Sequence, residues 1–545
     1  MQQYARQASG KSVVLVDMER PRSNFRFIEK RFDGLDTLRR ILSQVRKHGG
    51  KTVVVEELAK AEEIVEEDED IKKLSPQFSG SRTFRLGFFR TASRSRKRLE
   101  STSHKAFLGY AIVKENIFSS GSSFKIYESA LCPVHYPNSF IKRAPTWNVV
   151  VAGMPRTVEA HLYAQQNGIT NCCAHVAVRT AAAVFPAGHL SYRKMNQIVG
   201  IDLSKRYPGN GLDKREMTAI LERAGARCVV ADYRVRLKKR KGQRKGPPAP
   251  FQKYVYGSVE SGYPAIISFE TTKYPDSYHG IPIVGHTFNS DTWVPSAERF
   301  YFQLGPETRY VPSESWVSMY IGHDDNAGSH YCIPRYYFQT QRPRAAKSKS
   351  HRQRKSSLRR RRRLRRECVA HVIATLPSHI RVNPIQAEAI GMDYLLAMRE
   401  QLDDLRDNDW VRRLAEFYDA SLLVLRPVLV TAAEYASHLS RIRDWNGNRI
   451  RKDFIVELDK FSSEQLWMIE FSVPELFSAN LRKLGEVLIR AERKIESKRS
   501  ISSFLLARLP GSFALYESGD ANHPHFEFFE SGADGHVELF ECEEK

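Results

Sequence analysis

Gln166-Asn-Gly-Ile-Thr-Asn-Cys-Cys-Ala-His-Val-Ala-Val-Arg-Thr180 is the stretch on which the reading of this chain turns. It opens as a polar, Gly-containing loop and closes in an Ala/Val-rich run, reaching Val184, that predicts a helix packed closely on its neighbours. Asn171 is a residue type favoured at helix N-caps, which would place Cys172 in the first helical turn. Unpaired backbone N–H groups and the helix dipole favour a thiolate over a thiol there, and a nucleophilic cysteine needs that ionisation. The plainer reading makes both cysteines small buried hydrophobes behind an ordinary cap, as free cysteines commonly are.

Gln166 lies six residues before Cys172, and Cys-Cys-Ala-His-Val-Ala follows. This layout resembles the active-site stretch of the papain-like cysteine peptidase superfamily, in particular its bacteriocin-processing, double-glycine peptidase-like branch. The resemblance implies a core in which the cysteine opens a central helix, an antiparallel sheet follows, and Gln166 donates to the oxyanion. It departs from the family where Cys173 replaces an aromatic and where the Cys-Gly-Ser/Ala-Cys-Trp/Tyr signature is missing. Downstream, Tyr263-Pro-Ala-Ile-Ile-Ser-Phe269 reads as a buried strand, and His279-Gly-Ile-Pro-Ile-Val-Gly285 resembles the strand that carries the family's catalytic histidine. The Cys-to-His gap of 107 residues is shorter than the roughly 130–150 of papain and the cathepsins, and shorter gaps suit the bacterial branches. His286 is a rival. On a continuous strand, residues seven apart face opposite sides of the sheet, so only one of the two can reach Cys172, and His279 is favoured. The third member, which would orient the imidazole, is assigned to Asp324 in His323-Asp-Asp-Asn-Ala-Gly328, after the strand expected at 316–321. Asp325, Asn326 and Asp291 are rivals, and the same six residues also read as a plain polar turn.

The chain has 545 residues, room for roughly three to four domains. A hydrophobic share of 41% supplies cores. Seven cysteines without metal-ligand spacing or any Cys-x-x-Cys suit a reducing compartment. With no apolar leader and no apolar run long enough to span a bilayer, the cytoplasm is the expected location. No cofactor and no metal is expected. Gly10-Lys11-Ser12 is not a phosphate loop, because the first glycine is missing and a strand follows where a helix is required. The net charge of +23 is concentrated: 234–245 carries eight Lys/Arg and 342–366 fourteen, both without an acid. The body is therefore close to neutral.

The organisation expected is a multidomain α+β protein in which the papain-like core is flanked by two smaller α/β regions. Residues 1–145 form an N-terminal α/β region of unknown role, with strands at 12–17, 52–55, 107–113 and 124–127, a helix from Leu35 to Val45, and a solvated acidic helix or loop at 62–70. Residues 146–338 form the peptidase-like domain, interrupted by a basic insertion at 234–250, with 293–302 a hairpin or flap. Residues 339–367 read as a basic disordered linker that could grip phosphates or an acidic partner. Residues 368–545 form a C-terminal α/β region of unknown role, with a helix expected at 474–494 and a terminal hairpin at 525–540. His523, His525 and His536 make a weak metal constellation.

The activity expected from the resemblance is a thiol hydrolase cleaving a peptide or isopeptide bond, with Cys172 as nucleophile, His279 as base and acid, Asp324 orienting His279, and Gln166 with the Cys172 N–H at the oxyanion. The alternatives are a transglutaminase or acyl-transfer enzyme on the same fold, and a non-catalytic scaffold that binds peptide and recruits nucleic acid or an acidic partner through its basic segment.

Overall fold

β-branched and aromatic runs in the first third of the chain build an antiparallel sheet of β1 (Val13–Asp17), β2 (Thr52–Leu58), β3 (Phe78–Phe89), β4 (Phe107–Phe118) and β5 (Gly121–Leu131), each pairing with the next. The computed structural model describes residues 13–17, 30–205 (without 94, 134, 135, 137 and 143), 211–234, 249–271, 277–289, 310–340, 367–398, 402, 405, 407–419, 422–459, 464–492, 504–519 and 524–541. Leu162–Tyr163 adds to the far edge of the sheet, beside β5. α1 (Asp36–Lys47) buries Leu38, Ile41, Leu42 and Val45, the stripe that the sequence spacing predicts. It ends at Gly49, whose φ of +75° is the left-handed conformation that stops a helix.

α2 (Glu62–Leu74) corrects an expectation. Its acidic run is only partly solvated: Glu62 and Glu69 are exposed, but Glu67 and Asp70 are buried. Glu67 meets Lys114 and Lys125 of β4 and β5, and Asp70 meets Arg193. The hairpin Thr146–Val151/Met154–Glu159 leads into the Gln166 loop. Then come α3 (Cys173–Ala182), α4 (Tyr192–Ile198) and α5 (Lys214–Arg223).

The second sheet contains β6 (Ala226–Asp232), β7 (Ala265–Glu270), β8 (Tyr278–Phe288), β9 (Val317–Asp324), β10 (Gly328–Pro334) and β11 (Glu367–Pro377). Its main order is β6-β11-β7-β8-β9-β10, antiparallel along that path, with Phe338–Gln339 added in parallel to β11 and α6 (Phe251–Glu260) packed on it. β11 lies beyond the basic segment and was expected to open a separate C-terminal region. It runs instead through the interior of this sheet, with Ile373 opposite both Val230 and Ile266. Val369, Ala370, Val372, Ile373, Ala374 and Leu376 are all buried, as a strand covered on both faces requires. In exchange, Val311–Pro312 pairs in parallel with the start of the third sheet. The boundaries expected at 338 and 368 are therefore not boundaries of the folded units.

α7 (Pro384–Ala397) follows, capped by Asn383 and Gln386. It crosses α6 at Gly257, where a Cβ would lie 2.3 Å from Pro384. The third sheet runs β12 (Val424–Thr431), β13 (Gln465–Ser472), β14 (Gly485–Arg490), β15 (Phe504–Leu509), β16 (Ser512–Gly519) and β17 (Pro524–Glu530) in sequential order. Two further expectations fail here. The helix expected over 474–494 stops at Asn480, because Leu481 turns left-handed (φ 49°) and the rest becomes β14. β17 pairs with β16, and Val537–Glu538 pairs with Arg482–Lys483, so 525–540 is not a hairpin.

A buried chain of ion pairs, opened by a histidine–carboxylate contact, ties the second sheet to the third. His286 of β8 meets Glu260 (2.7 Å), and Glu260 meets Arg426 (2.6 Å). Arg426 also meets Glu470 (2.7 Å), which meets Lys483 (2.7 Å); Lys483 reaches Glu486 (3.1 Å), and Glu486 binds Arg508 (2.7 Å). All are essentially without solvent contact, so each charge depends on its neighbour. Two outcomes follow. A chain ending at 366 lacks β11 and is expected to lose cooperative unfolding, read by near-ultraviolet circular dichroism. In the full chain, Arg426→Ala takes the guanidinium shared by two buried carboxylates, Glu260 and Glu470, and is expected to cost about 3–5 kcal/mol in denaturant unfolding.

Candidate active site

Helix α3 starts one residue later than the N-cap preference of Asn171 predicts. Cys172 is itself the N-cap, with extended backbone (φ −129°, ψ −179°). The Asn171 side chain serves the loop instead: its Oδ1 accepts the Asn167 N–H (2.8 Å) and its Nδ2 donates to Glu67 (3.1 Å). Cys172 Sγ accepts the His175 N–H as a cap acceptor, and His175 Nδ1 lies 3.3 Å from the same sulfur. The neighbouring Cys173 thiol, the His175 ring and the His175 N–H together hold Cys172 well below the usual thiol range, against the opposing effect of burial. Cys173 moves the other way: its hydrogen bond to the Cys172 sulfur, burial and the Cys172 charge all favour its protonated form. The negative charge belongs on Cys172, because the cap N–H and the imidazole both point there.

Across from this tip, β8 presents His279. Its Nε2 lies 3.4 Å from Asp324 Oδ1 and 3.5 Å from Asp325 Oδ1. Burial disfavours the imidazolium, but Asp324, Asp325 and the Cys172 charge outweigh it, and the His279 pKa is raised. Asp324 accepts the backbone N–H groups of Asn326 (2.8 Å) and Ala327 (3.2 Å). These bonds and His279 overcome burial and keep Asp324 below the ordinary carboxylate range. Asp325 is buried with its Oδ2 unpaired, and burial together with Asp324 and Cys172 pushes its pKa up to about 7. The two adjacent carboxylates thus differ in charge: Asp324 is ionised and Asp325 is about half protonated near pH 7. The Cys172 sulfur is hydrogen-bonded to His175 rather than to His279. Active-site hydrogen bonds are often long or unmade without substrate.

The N-terminal sheet holds both halves of this arrangement. Glu67 Oε1 accepts Asn167 Nδ2 (2.8 Å), Asn171 Nδ2 and Lys125 Nζ (2.6 Å), fixing the loop before Cys172. Arg179 of α3 donates to Glu128 (2.7 Å) and to the Tyr127 carbonyl (3.0 Å) of β5. Gln165 accepts from Thr37 (2.9 Å) and the Ile126 N–H (2.8 Å) and donates to the Asp325 carbonyl (3.3 Å). Arg40 of α1 donates to the carbonyls of Ser329 and His330 (both 3.0 Å), just past the Asp324 turn.

Of the residues named from sequence, Cys172, His279 and Asp324 are brought to one place. Gln166 is half-buried in the adjoining loop, and its amide makes no hydrogen bond among the described residues. His286 is buried farther along β8, past a register shift between Ile283 and Gly285, where it is bound to Glu260 and stacked on Phe140. Asn326 contributes its backbone N–H to Asp324, and Asp291 lies outside the described residues. So do the flap segment 293–302, most of the insertion at 234–250, and 341–366, which holds the Arg-rich segment; His523 is also outside them. Among the described residues, His279, Asp324 and Asp325 are the one group of three or more possible metal ligands with donor atoms within 4.8 Å of one another, and they do not include His525 or His536. Such a spacing would admit a divalent cation, although Asp324 Oδ1 is already shared with two backbone N–H groups.

His175 and Asn196 were missed, because a histidine three residues into a helix reads as packing. Its position at the third helical residue, where a capping box closes, was the available signal. No helix among the described residues is long and apolar enough to cross a membrane. Comparison with protein families, with curated proteins and with solved structures found no match.

Asp325 has a folded-state pKa above its ordinary value of 3.8, so its contribution to stability is complete below about pH 4 and lost as pH rises through about 7. Asp325→Asn keeps the neutral form at every pH. It is expected to raise the melting temperature relative to the parent at pH 8 and not at pH 4; an equal shift at both would contradict the assignment.

Proposed function

We propose that this protein is a thiol hydrolase of papain-like type that cleaves a peptide or isopeptide bond, with Cys172 as nucleophile, His279 as base and acid, and Asp324 as the group that orients His279. The observation that carries this reading is the pairing of a helix-tip sulfur, biased to the thiolate, with an imidazole biased to the imidazolium. That is the protonation state a cysteine hydrolase needs before substrate binds. The order of elements also supports it: a helix opened by the cysteine, then an antiparallel sheet bearing the histidine and the carboxylate on neighbouring strands.

The chemistry runs as follows. Cys172 attacks the carbonyl carbon. The developing oxyanion is met by donors at the tip of α3, with the free Gln166 amide as the side-chain donor. His279 protonates the leaving amine, then takes a proton from the water that hydrolyses the thioester. Asp324 holds the ring in orientation and stabilises its charge. The edge of the site carries exposed tyrosines, Tyr278 next to His279 and Tyr337 against Phe269, which itself packs on the His279 ring. Such an edge suits an extended polypeptide rather than a small polar substrate. Acyl transfer to an amine in place of water would use the same residues.

The test is hydrolysis of fluorogenic peptide and isopeptide libraries, with peptide-resolved alkylation by iodoacetamide. Cys172→Ala is expected to lower kcat/KM by at least about 10³-fold and His279→Ala by about 10²–10⁴-fold, with Cys172 the fastest-alkylated cysteine near neutral pH. Hydrolysis undiminished in Cys172→Ala would remove the nucleophile from this account.

A further inference from the structure

Most cysteine–histidine sites offer the sulfur one imidazole. Here there are two. His175 lies on the same helix as the sulfur, 3.3 Å from it through Nδ1. Its other nitrogen, Nε2, is 2.9 Å from Asn196 Oδ1 on α4. Both residues are only 5% exposed, so water does not compete for either nitrogen. Because an amide oxygen accepts and does not donate, Nε2 carries the proton and Nδ1 is the acceptor, pointed at Cys172. A capping box usually places Glu or Gln at this position. An imidazole closes the box equally well, but it can also take a proton.

Resting on the hydrolase reading above, we propose that His175 and Asn196 form a second catalytic arm, which takes the Cys172 proton in the resting enzyme and leaves His279 free to serve the leaving group. The S–H bond of Cys172 breaks, its proton goes to His175 Nδ1, which gives up the Cys172 backbone N–H that it accepts at 3.4 Å, and the sulfur keeps the electron pair. The resulting imidazolium donates through Nε2–H to Asn196. The thiolate then attacks the substrate carbonyl, and the leaving amine takes its proton from His279. Water adds to the thioester and returns a proton to His279. The C–S bond breaks with its electrons on sulfur, restoring the thiolate beside a still-protonated His175. One water is consumed, one acid and one amine are released, and neither histidine changes its net charge over the cycle.

The sulfur is faced by Cys173 and His175 from α3 and by the charges of His279 from β8 and Asp325 from the β9–β10 turn. The turn at Gly211 closes the remaining side, where a Cβ would lie 3.6 Å from the sulfur. Any of these groups could shape a titration, so the test must separate His175 from His279.

The experiment is the pH dependence of iodoacetamide alkylation of Cys172 from pH 4 to 9, resolved at the peptide level in the full chain. The parent is expected to inflect below about pH 5. His175→Gln keeps a cap acceptor and cannot accept a proton; its inflection is expected to rise by at least about one pH unit, which slows alkylation about tenfold at pH values below the parent inflection. Asn196→Ala is expected to shift it in the same direction by less, and His279→Ala by less than His175→Gln. A His175→Gln profile that superimposes on the parent overturns the proposal, as does a shift produced in full by His279→Ala. Should His175→Gln not unfold cooperatively, Asn196→Ala decides, and an unshifted profile in that folded variant is equally fatal. The hydrolase reading fails separately: hydrolysis that survives Cys172→Ala removes it even if the alkylation profile moves as stated.

Discussion

A charged sulfur in a half-buried setting persists only when donors are fixed around it beforehand, since burial alone would drive it back to the thiol. In this chain the donors are a helix-tip N–H, a neighbouring thiol and an imidazole, all within a four-residue stretch of α3. What remains is to hold that tip still and to bring the His279 imidazole near it. The rest of the architecture serves those two requirements.

The N-terminal sheet meets the first. Lys114 and Lys125 hold Glu67 in its charged form against burial, down to about 2, and Glu67 in turn grips Asn167 and Asn171 ahead of the sulfur. The second and third sheets meet the other requirement jointly. β8 carries His279 near one end and His286 seven residues on, and His286 is the first link of a buried charge chain that runs through Arg426 to Arg508. The strand presenting His279 is thus tied at its far end to the C-terminal sheet. β11, threaded through the second sheet from beyond the basic segment, makes the same connection through the backbone. Such networks add little net stability over apolar packing, but they are intolerant of losing one member.

Much of the site was legible in the sequence, and the reasons for the rest are local. Cys172, His279 and Asp324 stand on a helix tip, a strand and a strand end that periodicity and turn chemistry already marked. Asn171 misled by one residue, because its amide is engaged by Glu67, a partner more than a hundred positions away. His175 was invisible for a related reason: only the cap geometry turns its ring toward the sulfur. The acidic run around Glu67 looked solvated because its lysine partners are remote in sequence. β11 was recognisable as a strand, but nothing local states which sheet it joins. Over 474–494, leucines at helical spacing satisfy a strand buried on both faces just as well, and the left-handed Leu481 that separates the two is not a glycine. The basic segments dominate the composition, yet 235–248 and 341–366 lie outside the described residues.

The ionisation of one sulfur is the central claim, and it can be observed without any substrate. Thiolate absorbance near 240 nm, titrated in the full chain and corrected by subtraction of Cys172→Ser, reports that ionisation directly. The account predicts that the difference signal is present at pH 5 and persists to neutrality. A signal that appears only with a midpoint of about 8.5, the value of an unperturbed thiol, would contradict it.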